Sequence, residues 1–81
     1  MTTADKTLER MRSNPCDWHI DDLLSVARRY EIEVRNSGGS HHVFSARGIA
    51  ESLCVPAHRP IKPVYVKSFV SMIDAIKERT P

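Results

Sequence analysis

Apolar and polar positions along the chain follow two different periods. Ile20, Leu23, Leu24, Ala27 and Tyr30 recur at i, i+3, i+4, i+7 and i+10, the spacing of one helical face. Asp17, Asp21 and Asp22 near the start of that segment, and Arg28 and Arg29 near its end, complement a helix dipole. The period then changes. Glu31-Ile32-Glu33-Val34-Arg35 alternates polar and apolar, as a half-buried strand does. Asn36-Ser37-Gly38-Gly39 follows as a turn, because glycine takes positive φ freely and asparagine tolerates it. His42, Val43 and Phe44 begin a second strand, and a short glycine-containing connection between two strands predicts a hairpin. A looser stretch from Ser45 to Glu51 leads to a third strand, Ser52-Leu53-Cys54-Val55, closed by Pro56. Arg59-Pro60-Ile61-Lys62-Pro63 is a loop, and Pro63 suits the first turn of a helix, where its missing N–H costs nothing. From Val64 to Lys77, Val66, Phe69, Val70, Ile73 and Ile76 return to helical spacing. Ahead of all this, Asp5 to Ser13 predicts a short helix ended by Asn14-Pro15.

The pattern predicts an α+β domain of order α-β-β-β-α. A three-stranded antiparallel sheet carries its helices on one face and leaves the other free. Residues 1–16 form an N-terminal extension or short helix, and residues 17–79 form the main domain. This is the topology of the double-stranded RNA-binding fold, which alone assigns no function. With 81 residues, the chain is one domain that buries only roughly 60–65% of its unfolded surface, so an active site should be shallow and built from few residues. No apolar run approaches the ~20 residues of a membrane span. Met1 to Lys6 carries no hydrophobic signal region. A cytoplasmic protein without membrane contact is expected. Cys16 and Cys54 form no CxxC pair, and both are expected to be free, buried thiols acting as small hydrophobes in a reducing compartment.

The net charge of +2 hides an asymmetry. Residues 1–40 hold six basic and seven acidic side chains, whereas residues 41–81 hold six and three. Between Arg47 and Lys67 stand Arg47, Arg59, Lys62 and Lys67 against Glu51 alone, a modest basic surface suited to phosphate.

Histidine is the side chain whose ordinary pKa of ~6.5 allows proton transfer near neutral pH. His41 and His42 stand side by side after Gly38-Gly39-Ser40, and on a strand they point to opposite faces. Val43 shares the face of His41 and Phe44 that of His42, so periodicity leaves open which imidazole is free. Gly39 leaves room for an approaching RNA backbone, and Ser40 offers a hydrogen bond to a phosphate oxygen. His58 leaves the third strand just before the basic loop, while His19 reads as a surface residue. Neither the histidines nor the cysteines have the spacing of a zinc site, so no metal or other cofactor is expected. RNA cleavage needs neither metal nor deep pocket. The 2′-hydroxyl is the nucleophile, one histidine serves as base, and nearby cations steady the charge that builds on the phosphate.

Two blocks of residues carry a resemblance. Gly38-Gly39-Ser40-His41-His42-Val43-Phe44 is similar to the Gly-Ser-His-His-aliphatic-aromatic signature of the HicA family of bacterial mRNA interferase toxins. Val55-Pro56-Ala57-His58-Arg59-Pro60-Ile61-Lys62-Pro63-Val64-Tyr65-Val66-Lys67 resembles the segment in which a strand of that family ends and the last helix opens. The resemblance spans about residues 17–77. It implies a type II toxin–antitoxin system, a double-stranded RNA-binding-like fold, an essential histidine for mRNA cleavage and a HicB-type antitoxin that inhibits it. Members differ in which position of the His-His pair acts, so His41 and His42 are both carried over. His41 is favoured because it directly follows Gly39-Ser40. Many members continue after the aromatic with a basic residue and His-Pro, whereas here Ser45-Ala46-Arg47-Gly48 follows. Gly39, Ser40, Arg47, His58, Arg59, Lys62 and Lys67 are the candidate RNA contacts. A non-catalytic RNA- or protein-binding module of the same fold is the alternative.

Overall fold

The computed structural model describes residues 3–36, 39–57 and 60–79. Its elements are α1 (Thr3–Ser13), α2 (Ile20–Arg29), β1 (Glu33–Asn36), β2 (His41–Ser45), β3 (Leu53–Pro56) and α3 (Pro63–Arg79). The strands form an antiparallel sheet in the order β1-β2-β3, so β2 is central and both neighbours are edges. The expected α+β order is present, with α1 added in front.

Two boundaries differ from the sequence pattern for local reasons. The alternation begins at Glu31, but β1 begins at Glu33. Tyr30 and Glu31 instead turn the chain out of α2. Glu31 takes a left-handed φ of 58°, and the Ile32 N–H donates to the Ala27 carbonyl at 2.9 Å. That satisfies an end carbonyl of the helix where a glycine would more often stand. β3 extends to Pro56 rather than stopping before it. A proline is tolerated there because the strand is an edge.

The core lies between the sheet and the helices. Leu8 and Met11 from α1, Leu23, Val26 and Ala27 from α2, and Val66, Phe69 and Ile73 from α3 are buried. Phe44 and Val55 enter from the sheet, and their side is the one the helices cover. Phe44 meets Phe69 edge-to-face, with ring centroids 5.5 Å apart and planes at 67°, the arrangement favoured by the ring quadrupoles.

Helix α1 belongs to this core. Its Arg12 guanidinium makes a two-pronged contact with Asp74 of α3, at 2.8 and 2.7 Å. Hydrogen bonding to Arg12 holds the Asp74 carboxyl below its ordinary pKa. The Tyr30 hydroxyl donates to the Asp5 carboxylate, and the Lys77 ammonium lies 5.5 Å from the Tyr30 ring centroid. Burial, then the Asp5 contact, pushes the Tyr30 phenol up. These contacts fasten the first helix to the last, well away from the sheet's uncovered face.

Candidate functional site

Strand pairing assigns every β2 side chain to a face. His41 pairs with Pro56, His42 with Val55 and Asn36, Val43 with Cys54 and Arg35, and Phe44 with Leu53 and Val34. Directly paired residues share a face. Because Phe44 and Val55 are fully buried, His42 lies on the helix side with them and is half-buried. Its Nδ1 is 3.3 Å from the Ser40 carbonyl oxygen. His41 points to the uncovered face and is exposed. Glu33, Arg35, Val43, Ser45, Cys54 and Pro56 share that face with it. The question that the sequence pattern leaves open is therefore answered by Phe44, whose ring is the apolar neighbour the core takes.

The two sequence blocks meet at one end of the sheet. His41 opposes Pro56 in the ladder, and the Ala57 N–H donates to the Ser40 carbonyl at 2.6 Å. The Gly-Ser-His turn thus lies against the segment that leaves β3. Gly39 holds a left-handed φ of 64°, and a Cβ built on it would meet nothing within 4 Å. Backbone conformation, not crowding, requires glycine there, and the space above it is open.

The other expected contacts are not gathered at His41. Lys62 is exposed and lies between Ile61, which is buried and bridges to Trp18, and the start of α3 at Pro63. Arg47 lies in the turn beyond Ser45, at the opposite end of β2 and ~13 Å of strand away from His41. Lys67 lines a groove of about 500 Å³ between α3 and the start of β3, with Leu53, Val64 and Met72. Leu53 pairs with Phe44, so Lys67 too belongs to the far end. Neither Arg47 nor Lys67 is brought to His41. His58 and Arg59 lie outside the described residues. His19 is exposed at the start of α2, where its N–H donates to the Asp22 carboxylate at 3.0 Å.

One cation of the open face escapes a reading by motif. Arg35 is paired with Val43 and stands diagonal to His41, and its Nε donates to Glu33 at 3.0 Å. The signal lay in the alternation of Glu33, Val34 and Arg35. Once Val34 faces the core, its two neighbours must face away.

The expectation that both cysteines are buried is overturned, since Cys16 and Cys54 are free and exposed. Cys54 alternates with the buried Val55 and therefore falls on the open face. Cys16 sits in the bend between α1 and α2, outside the core. Both thiols should react with an aromatic disulfide reagent in the native protein. Protection of either until denaturant is added would return it to the interior.

Among the described residues, no three histidine, cysteine or carboxylate side chains are grouped to hold a metal ion. Among the same residues, no helix is long and apolar enough to cross a membrane. Comparisons with protein-family models, curated proteins and solved structures gave no match for this chain.

Proposed function

We propose that this chain is a small endoribonuclease that cleaves mRNA on the open face of its sheet, as the toxin of a HicA-like toxin–antitoxin pair. The observation that carries the reading is the junction of the two sequence blocks. An exposed His41 follows a left-handed glycine and an open turn; it pairs with Pro56 of the second block, and Ser40 beside it accepts from the Ala57 N–H. His41 is the general base of this proposal. It takes the proton of a ribose 2′-hydroxyl, whose oxygen bonds to the adjacent phosphorus as the bond to the 5′-oxygen breaks. The leaving 5′-oxygen takes a proton from solvent. The products are a 2′,3′-cyclic phosphate and a 5′-hydroxyl end. Ser40 stands at the same end of the ladder to contact phosphate, with His58, Arg59 and Lys62 as further candidates. His42, half-buried behind the strand, supports the turn through its contact with the Ser40 carbonyl. A HicB-type antitoxin would silence such a site by covering His41.

The test is incubation of the purified chain with a labelled single-stranded RNA and with the same strand carrying 2′-deoxyribose throughout. The expected result is cleavage of the RNA to cyclic-phosphate ends and an intact deoxy strand. Binding of both strands with cleavage of neither would replace this reading by a non-catalytic nucleic-acid-binding module.

A further inference from the structure

Two of the cations that sequence spacing assigned to His41, Arg47 and Lys67, stand at the other end of the ladder. Charge that builds on a phosphate during cleavage needs a donor close to the base. Arg35 meets that need by position. It opposes Val43, two residues along β2 from His41, and both side chains stand on the uncovered side. Diagonal cross-strand neighbours are roughly 7–8 Å apart at the backbone, within reach of long side chains, so two such side chains can hold one phosphodiester between them. Arg35 is 77% exposed, so its guanidinium reaches solvent above the strand. Its Nε is engaged by Glu33 at 3.0 Å. That contact engages the inner nitrogen, and the terminal amino groups keep the fork geometry suited to two phosphate oxygens.

We propose that Arg35 is the residue of this site that holds the scissile phosphate during cleavage. It donates to a non-bridging oxygen of the scissile phosphate while His41 takes the 2′-proton. The assignment rests on the ribonuclease reading above.

The experiment is single-turnover cleavage of one RNA by the wild type, Arg35→Gln and Arg35→Lys. The substrate is prepared with an ordinary scissile phosphate and with sulfur in place of either non-bridging oxygen. Circular dichroism follows the fold of each protein. Arg35→Gln is expected to lower the rate roughly 10²–10³-fold, the usual cost of removing one donor to a developing oxyanion. Arg35→Lys should recover part of that loss, because a point charge replaces a fork. In the wild type, one sulfur diastereomer should be cleaved slowly, and that discrimination should vanish in Arg35→Gln. A purely structural role for Arg35 would not alter the discrimination. Wild-type cleavage with Arg35→Gln at the same rate overturns the assignment alone. A wild-type chain that cleaves no RNA overturns the reading beneath it, and the role of Arg35 with it.

Discussion

His41→Ala is expected to lower the proposed single-turnover RNA cleavage on the order of 10²–10⁴-fold, the range that a positioned base contributes. Affinity for an uncleavable 2′-deoxy strand is unchanged, because an exposed imidazole that moves a proton need not hold the strand. The equivalent change at His42 behaves differently. That ring is half-buried on the helix side, opposite Val55, and it approaches the Ser40 carbonyl rather than solvent above the sheet. His42→Ala therefore costs thermal stability while most of the cleavage survives. Rates and melting midpoints for the two variants, measured together, decide the matter. An inactive His42→Ala beside an active His41→Ala would reverse the assignment. Full activity in both would remove catalysis from the pair.

Phe44→Ala destabilises the domain by about 3–5 kcal/mol, the range for deleting a fully buried phenyl ring. A chain of this length has only about 4–12 kcal/mol to lose. The midpoint of thermal unfolding should fall by roughly 15–30 °C. The size of the effect follows from position. Phe44 lies on the central strand, and its ring meets Phe69 of α3, so its removal opens a cavity at the junction of sheet and last helix. Val43→Ala, one residue away on the open face, is the control and should shift the midpoint by only a few degrees. Equal shifts for the two variants would mean that the two faces have been assigned the wrong way round.

That pair of neighbours also shows what the sequence could and could not convey. Helical faces were legible because a period of 3.6 repeats several times within α2 and α3, and the apolar positions of α3 are those that fill the core. The facing of β2 was not, because Val43 and Phe44 are adjacent and both apolar. Either could have been the inward residue, and the choice depends on a contact with Phe69 that no local pattern contains. Cys54 was misread for another reason: a free thiol was taken as a small hydrophobe, and only its alternation with Val55 in the register places it on the open face. The histidine pair stood out as chemistry from spacing alone. The cations around it did not sort themselves, since Arg47 and Lys67 are separated from His41 by the ladder register. Arg35 reached the same face through strand pairing rather than through any motif.

The attachment of α1 to α3 bears on how the protein is made. The strands pair with their immediate successors, whereas Arg12 finds Asp74 across 62 residues and Phe44 finds Phe69 only once α3 exists. On a ribosome the first helix finds α2 soon after it emerges, but its second support, α3, comes much later in the chain. Leu8 and Met11 gain their full cover only once α3 has been translated. The face that holds His41 is backed by the same helix and becomes rigid no earlier.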